Sequence, residues 1–267
     1  MTGIVVCGAA GRMGRSLVQA ITAAGAVLAG ALEQSGHPAL GEDAGVLAGA
    51  SALGVRLSDD MAELFAHADV IIDFSLPGPT MEHVAVARML KRPMVIGTTG
   101  FDARQRERLR EAGADIPLLI SGNFSVGVSV AVDLLERAAR AFGQAVDVEV
   151  VEAHHRHKVD APSGTALMMA EAVATARGQQ LAEAMVAGRS GHTGERPVGQ
   201  IGIHALRGGD VVGDHQVWFM GDGERLEIRH VATSRMNFAH GAVRAALWLQ
   251  GRAPGQYDMR DVLGLQD

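Results

Sequence analysis

Cysteines and long apolar runs, which are typical of disulfide-bonded and membrane proteins, are scarce in this chain. Cys7 is the only cysteine among 267 residues, so no disulfide can form within the chain, and a reducing, cytoplasmic location is expected. Cys7 lies in an apolar run, where a free cysteine ordinarily acts as a small buried side chain. No apolar run approaches the ~18 residues of a membrane-spanning helix. Arg12 interrupts the first apolar stretch, so a signal peptide is not expected either.

Charge is not concentrated in any part of the sequence, and lysine is nearly absent. The net charge is −6 and the basic residues are scattered, which argues against a nucleic-acid groove. Local groups must therefore bind any anionic ligand. Of the 24 basic side chains only Lys91 and Lys158 are lysines. Aromatic residues make up 4% and hydrophobic residues 48%, with 34 glycines, a composition typical of a globular α/β protein.

The first half of the sequence alternates strand and helix patterns. Short apolar runs at residues 4–7, 27–32, 69–74, 93–96 and 117–120 are separated by helical segments, an order typical of a parallel sheet with helices on both faces. Later runs with strand-like alternation follow one another directly, at residues 200–206, 211–219 and 225–231. The sequence therefore predicts an α/β fold, with a Rossmann-type doubly wound parallel sheet and a second α+β domain whose sheet is mixed or antiparallel. A helix over residues 236–249 could return to the first domain.

A glycine-rich turn between the first strand and the first helix indicates a nucleotide site. Residues 8–14 read Gly-Ala-Ala-Gly-Arg-Met-Gly, and glycines here let the backbone approach a pyrophosphate at a helix N-terminus. Glu33 ends the second strand nineteen residues after Gly14, where an acidic side chain binds ribose hydroxyls in dinucleotide-binding folds. The spacing departs from G-x-G-x-x-G, so a turn without a ligand stays open. Residues 97–100 and 121–124 end later strands, where ligands bind in such sheets, although either could be an ordinary turn.

Residues 152–167 hold the most reactive combination of side chains. His154 and His155 precede Lys158 and a Pro-Ser-Gly-Thr turn, in which Ser163 suits a helix N-cap. A histidine can move a proton near neutral pH, a lysine can donate a proton or hold a carboxylate, and N–H groups after Ser163 can bind an anion. This set suits a small, doubly acidic substrate that must be protonated. A metal site is one alternative, but no cysteine or acidic cluster accompanies these histidines at ligand spacing. A solvated polar loop is the other alternative.

Five segments match one known family when they are taken together. They are residues 8–14, Asp73-Phe74-Ser75, residues 97–100, residues 123–127 and, above all, residues 152–166. On these segments the sequence resembles the 4-hydroxy-tetrahydrodipicolinate (dihydrodipicolinate) reductases of lysine and diaminopimelate biosynthesis, and the resemblance covers essentially the whole chain. The resemblance implies NAD(P)H-dependent reduction of 4-hydroxy-tetrahydrodipicolinate to tetrahydrodipicolinate by a cytoplasmic homotetramer. It also implies a dinucleotide-binding domain of residues 1–125 and 235–267, and a substrate-binding and tetramerisation domain of residues 126–234.

The resemblance also implies roles for individual residues. His154 corresponds to the family's proton donor and acceptor, Lys158 to its second proton donor, and His155, Gly164 and Thr165 to its contacts with the substrate carboxylates. The substrate would be a small cyclic dicarboxylate; no metal, nucleic acid or membrane is expected as a partner. The implied cofactor-binding residues are Gly8, Ala9, Ala10, Gly11, Arg12, Met13, Glu33, Gln34, Gly97, Thr98, Thr99, Ser121, Gly122, Asn123 and Phe124.

One departure from the family bears on the choice of cofactor. Members that use NADPH often have an arginine directly after the ribose-binding acid, and this chain has Gln34 there. Because Glu33 also repels a 2′-phosphate, NADH is the expected cofactor, with NADPH as the alternative if Arg12 or Arg15 compensates. Two other functions stay open: a reductase of the same fold acting on a different imine or keto acid, and a non-catalytic nucleotide-binding sensor.

Overall fold

The computed structural model describes residues 1–265, which pack as two compact units. The first unit joins Met1–Val126 to the segment that begins at Met236, and the second is Gly127–Arg235. The strands of the described residues are β1 (Gly3–Cys7), β2 (Val27–Leu32), β3 (Leu57–Ser58), β4 (Val70–Asp73), β5 (Met94–Ile96), β6 (Pro117–Ile120), β7 (Asp147–His154), β8 (Met185–Ala187), β9 (Ile201–Arg207), β10 (Gly213–Met220), β11 (Arg225–Ala232) and β12 (Gly255–Tyr257).

The helices of the same residues alternate with the strands in the first half of the chain. They are α1 (Arg12–Ala23), α2 (Ala44–Leu47), α3 (Met61–Ala66), α4 (Pro77–Met89), α5 (Ala103–Gly113), α6 (Val126–Phe142), α7 (Gly164–Ala176), α8 (Leu181–Ala184), α9 (Met236–Leu249) and α10 (Met259–Leu263). Within residues 1–265, no helix combines the length and the apolar character needed to cross a membrane.

The first unit contains a parallel sheet in the strand order β12-β6-β5-β4-β1-β2-β3. Every residue of β1, β4 and β5 is buried, which explains why these strands read as continuous apolar runs rather than as alternating ones. The chain runs from β1 outward to β3 and then continues with β4 on the other side of β1. Such a reversal of strand order opens a crevice at the carboxyl ends of the strands, where ligands bind in this class of sheet.

Helix α9 completes the first unit from the far end of the sequence. Its buried residues Ala242, Val243 and Leu249 share a core with Leu17 and Ile21 of α1. The helix therefore packs within the first unit. The short strand β12 also joins this unit, because it pairs with the edge strand β6.

The second unit contains a mixed sheet in the order β11-β10-β7-β9-β8. Strand β10 is antiparallel to both β7 and β11, whereas β7, β9 and β8 are parallel. Residues alternate along β10, so that Val217 and Phe219 face a core that also contains Leu135 of α6 and Val173 of α7. The predicted fold class is therefore confirmed, and the second sheet is mixed rather than antiparallel.

Candidate active site

A cavity of about 640 Å³ lies at the carboxyl ends of β1, β2 and β4 in the first unit. It is the place that the strand order favours for a ligand. Of the predicted cofactor-binding residues, Gly8, Ala10, Gly11, Glu33 and Gln34 line it.

Glycines shape the loop that forms one wall of this cavity. Gly8 has a φ of +69°, a conformation that a side chain disfavours. A Cβ on Gly14 would lie 2.2 Å from the carbonyl oxygen of Gly8, so only glycine lets α1 start this close to β1. Gly11 is the N-cap of α1, and Arg15 ties the loop down by donating from Nε to the carbonyl oxygen of Ala10 at 2.9 Å. The result is an open helix N-terminus with backbone N–H groups available to an anion.

Glu33 is fixed at the end of β2 by two backbone bonds. Its Oε2 accepts from the N–H of Ala10 at 3.0 Å, and its Oε1 accepts from the N–H of Gln34 at 2.9 Å. The carboxylate thus joins the glycine-rich loop to the second strand while remaining part of the cavity wall. Gln34 is exposed beside it. This wall offers hydrogen-bond acceptors to hydroxyl groups and a negative charge to any phosphate.

The remaining predicted cofactor residues lie on three neighbouring segments of the first unit. Phe74 connects two of these segments, because its ring fills the space beside Gly97 and packs at 5.2 Å from the ring of Phe124. Thr98 is buried and shares a hydrogen bond of 2.9 Å with Thr80. Ala9, Arg12 and Met13 belong to the glycine-rich loop and the start of α1; Gly97, Thr98 and Thr99 follow β5; and Ser121, Gly122, Asn123 and Phe124 follow β6.

Cys7, Asp73 and His83 form a buried group beneath the same crevice. Their sulfur, carboxylate and ring nitrogen atoms lie within 4.8 Å of one another, close enough to surround a metal ion. In the structure two members of this group are joined to each other by a hydrogen bond, with Asp73 Oδ2 at 2.7 Å from His83 Nδ1. Burial, followed by the charges of Asp73 and Glu33, raises the pKa of the Cys7 thiol well above its usual value. A neutral thiol is a poor metal ligand.

In the second unit, the predicted proton donor His154 ends β7 beside a buried carboxylate. His154 Nδ1 lies 2.6 Å from Oε2 of Glu152, which is 0% exposed. Arg207, on the neighbouring strand β9, donates to both oxygens of Glu152, at 2.7 and 2.8 Å. The N–H of Ser163 donates to Glu152 Oε1 at 3.0 Å. Burial alone would raise the pKa of Glu152, but the bonds from Arg207, His154 and Ser163 outweigh it and hold the pKa below its usual value.

A second buried histidine stands behind His154. His215 on β10 packs edge-to-face against His154, with ring centroids 5.1 Å apart, and its Nε2 lies 3.0 Å from Ser163 Oγ. Burial, with a further contribution from His154, lowers the pKa of His215 to about 4. His215 is therefore neutral at physiological pH. Gly213, also on β10, leaves space at the other ring nitrogen of His154, because a Cβ there would lie 3.1 Å from Nε2.

Lys158 and His155 lie in the loop that follows β7. Lys158 is mostly buried and donates from Nζ to Asp160 at 2.8 Å, and this bond lowers the pKa of Asp160. Arg235 lies 3.3 Å from His155 Nε2. Desolvation, followed by the charge of Arg235, lowers the pKa of His155.

The predicted carboxylate contacts lie where this loop enters α7. Gly164 and Thr165 are the first two residues of α7, directly after its N-cap Ser163, whose hydroxyl accepts from the N–H of Ala166 at 3.2 Å. The helix start expected from the Pro-Ser-Gly-Thr turn is present. Gly164 is exposed and has no atom near the position of a Cβ, so its backbone is accessible to a carboxylate.

Three residues of this site were not predicted from the sequence: Glu152, Arg207 and His215. Glu152 begins the segment of residues 152–166, but nothing local in the sequence indicates that it is fully buried. His215 stands on the apolar side of an alternating strand pattern, and that position was an available signal of burial. Arg207 could be found only from the pairing of β7 with β9, in which His154 and Arg207 are register partners.

Both halves of the chain match the same family. Residues 2–124 match the dihydrodipicolinate reductase N-terminus, and residues 127–263 match the dihydrodipicolinate reductase C-terminus. The chain belongs to the dihydrodipicolinate reductase family. A 4-hydroxy-tetrahydrodipicolinate reductase from Acinetobacter baumannii (strain ATCC 17978) is 53% identical to it over 264 residues, which represent 99% of this chain and 97% of the relative.

Solved structures agree with this assignment at the level of the fold. A dipicolinate-bound dihydrodipicolinate reductase from Paenisporosarcina sp. TG-14 superposes with a TM-score of 0.77 at 23% identity, over 97% of each chain. An amine dehydrogenase from Mycobacterium smegmatis has a TM-score of 0.60 at 13% identity and covers 96% of this chain and 94% of its own. At such identities the likeness concerns the fold alone.

The family assignment confirms the resemblance to dihydrodipicolinate reductases and the prediction of an oxidoreductase of lysine biosynthesis. The match of residues 2–124 to the N-terminal part of dihydrodipicolinate reductase implies a pyridine nucleotide cofactor.

Proposed function

We propose that the protein reduces 4-hydroxy-tetrahydrodipicolinate to tetrahydrodipicolinate with NADH as the preferred cofactor. The observation that carries this proposal is the 53% identity to a 4-hydroxy-tetrahydrodipicolinate reductase over 99% of the chain. The geometry supports it, because the segment that the sequence singled out, residues 152–166, supplies a buried histidine, a lysine and an open helix start in one unit. A non-catalytic sensor would have no use for this combination.

The first unit has the features that a dinucleotide needs. The cavity has room for part of such a molecule, the glycine-rich loop offers N–H groups to a pyrophosphate, and Glu33 offers acceptors to ribose hydroxyls. Residues 8–13, with Glu33 and Gln34, would hold the adenosine and pyrophosphate portion, and residues 97–99 and 121–124 the nicotinamide portion. When bound, the cofactor supplies a hydride. The fixed negative charge of Glu33 and the absence of a cation at Gln34 favour NADH over NADPH.

In the second unit, each proposed substrate group has a matching protein group. His154 would exchange a proton through Nε2, since its Nδ1 is bonded to Glu152. Lys158 would supply a second proton or a cation, and the N–H groups of Gly164 and Thr165 would bind a carboxylate at the start of α7. His155 would contact the same carboxylate. Dipicolinate, the ligand of the Paenisporosarcina relative, is itself a small cyclic dicarboxylate.

A coupled assay tests this function directly. Fresh 4-hydroxy-tetrahydrodipicolinate, made by its synthase from pyruvate and aspartate semialdehyde, is supplied with NADH or NADPH, and oxidation is followed at the nicotinamide absorbance. The wild-type protein should oxidise NADH rapidly. The variants His154→Ala and Lys158→Ala should lose about 100-fold or more of kcat, because acid catalysis contributes at this level, while NADH binding measured by calorimetry is retained. Absence of oxidation with either cofactor, from protein that binds NADH, would overturn the proposal.

We further propose that the outer face of the mixed sheet joins subunits of a homotetramer. The helices α6 and α7 contribute to the core on one face of the sheet, while Val151, His204 and Trp218 occupy the opposite face. Trp218 is only partly buried, and a row of such side chains suits a protein interface. Sedimentation equilibrium should give four times the chain mass. Val151→Arg should lower that mass, whereas Val159→Arg, in an exposed loop, should not.

A further inference from the structure

Glu152 is the most completely enclosed acidic group of the second unit. It is 0% exposed, yet all of its bonds come from groups that favour its ionised form: Arg207 bridges both oxygens, and the N–H of Ser163 and the ring of His154 take one oxygen each. A buried carboxylate without such partners would be strongly destabilising. Glu152 is thus fully paired, and it lies near the end of the strand that carries the proposed proton donor. This position indicates a role in the reaction as well as in stability.

Strand register fixes this arrangement. Arg207 is the direct partner of His154 in the β7–β9 pairing. The same guanidinium also donates to the carbonyl oxygens of Leu206 and Asp160, at 2.7 and 2.6 Å. Arg207 is therefore held by backbone atoms on two sides while it holds Glu152. Because guanidinium and carboxylate are planar and bidentate, the carboxylate can neither rotate nor move away from His154.

The position of Glu152 decides which nitrogen of His154 carries hydrogen. An ionised carboxylate only accepts hydrogen bonds, so Nδ1 must be the donor in the 2.6 Å contact. Nε2 is then the nitrogen that gains and loses a proton. Gly213 leaves space at that nitrogen, because any Cβ there would lie 3.1 Å from it.

We propose that Glu152, held by Arg207, is the positioning residue of the reductase: it fixes the Nδ1–H form of His154 and balances the charge of its imidazolium. This inference rests on the proposed function. During turnover the imidazolium gives its Nε2 proton to the anion that hydride addition creates on the substrate. The neutral ring then takes one proton from water, with Nδ1–H still bonded to Glu152. Orientation of a catalytic histidine by a carboxylate is an established physical device on unrelated folds.

The charged and titratable groups around His154 are consistent with this role. His215 packs against the ring from β10 and stays uncharged, since burial lowers its pKa to about 4. It therefore adds no repulsion when His154 becomes a cation. The other groups that act on this cluster are Glu152 from β7, Arg207 from β9, His155 and Lys158 from the following loop, and Asp214 and His230 through His215.

The first test compares Glu152→Gln and Glu152→Asp with Glu149→Gln. Glu149 is a matched control, because it lies on the same strand and is likewise paired with arginine and histidine side chains, Arg189, Arg196 and His204. Glu152→Gln should lower kcat by about 100-fold or more with little change in KM. The alkaline limb of its kcat/KM profile should move to lower pH, since a neighbouring negative charge is lost.

The conservative variant and the control separate positioning from stability. Glu152→Asp keeps the charge and should restore the wild-type limb in part, whereas Glu149→Gln should lose stability but keep the wild-type shape of the profile. The inference is overturned if Glu152→Gln keeps that shape as well, or if its loss of kcat equals the unfolded fraction measured by circular dichroism.

A spectroscopic test distinguishes failure of this inference from failure of the proposed function. In protein labelled with ¹⁵N-histidine, wild type should show a bonded Nδ1–H signal that is absent from His154→Asn and shifted in Glu152→Gln, because an amide oxygen accepts more weakly than a carboxylate. The pair His83–Asp73 in the first unit, also joined through Nδ1 at 2.7 Å, should keep its own signal throughout. An active enzyme with hydrogen on Nε2 of neutral His154 would sink the positioning role, whereas an inactive wild type with Nδ1–H would sink only the proposed function.

Discussion

At the residue scale, cofactor choice depends on what stands next to Glu33. Its carboxylate is held by the N–H groups of Ala10 and Gln34, so it cannot swing away from a ligand at the end of β2. A phosphate on the adenosine ribose would meet this charge, and the exposed Gln34 offers no cation against it. Arg15 is engaged with the carbonyl oxygen of Ala10 through Nε, which leaves Arg12, at the exposed start of α1, as the nearest alternative in the loop.

The variant Gln34→Arg should raise the ratio of kcat/KM for NADPH to that for NADH several-fold, because an arginine pairs with a phosphate through two hydrogen bonds. Gln34→Glu is the control of opposite charge and should lower the same ratio. Steady-state kinetics with both cofactors measures each effect. An unchanged or lower ratio in Gln34→Arg would show that this position does not select the cofactor.

At the element scale, the predictable parts of the fold are those that carry a clear apolar or helical pattern of their own. The run at residues 27–32 and the helix over residues 236–249 were predicted with the bounds that the structure shows. The elements that escaped prediction, α2, β3, α3, α8, β8, β12 and α10, have at most six residues each. Strand β12 illustrates the reason: its three residues form a strand only because the edge of β6 is available for pairing.

The same reasoning applies to the candidate site. His154, Lys158 and Ser163 stand in one short segment, so their proximity could be predicted from the sequence. Arg207 and His215 reach His154 from β9 and β10, and only the register of three strands brings them there. A single sequence carries no signal of register between distant strands.

The close packing of helix α9 within the first unit can be tested at Gly241. A Cβ on Gly241 would lie 1.7 Å from the carbonyl oxygen of Phe124, so the helix backbone packs directly on the segment after β6. Gly241→Ala should therefore lower the free energy of unfolding by about 1–3 kcal/mol through overpacking. Gly78→Ala is the control, because nothing lies within 4 Å of its Cβ position; urea unfolding should find it neutral or slightly stabilising. Equal stability of both variants would contradict the close packing.

At the scale of the whole molecule, the second unit buries a base, His215, and the first unit buries an acid, the thiol of Cys7. In the second unit, burial lowers the pKa of His215 from 6.5 to about 4. Between these pH values the unfolded chain binds a proton that the folded chain does not, so acidification favours unfolding by about 3 kcal/mol. Glu149 and Glu152 add to this below their unfolded pKa of ~4.3, because their folded pKa values are lowered and their stabilisation is lost as the pH falls further.

In the first unit, the buried group with a resolved shift is the thiol of Cys7. Burial and the charges of Asp73 and Glu33 raise its pKa well above the usual value. Above the unfolded pKa of ~8.5 the unfolded chain releases a proton that the folded chain keeps, so alkaline conditions favour unfolding. The two units are therefore expected to lose stability at opposite ends of the pH scale.

The two tryptophans make this difference measurable, because Trp218 belongs to the second unit and Trp248 to the first. In a Trp248→Phe background, the fluorescence of Trp218 during urea unfolding should show stability falling from pH 6.5 to pH 4, and His215→Gln should remove most of that slope. In a Trp218→Phe background, Trp248 should show stability falling above pH 8.5, and Cys7→Ala should remove that loss. If both reporters gave the same pH dependence, or if neither substitution changed its slope, buried His215 and Cys7 would not be the groups that set the pH limits of the fold.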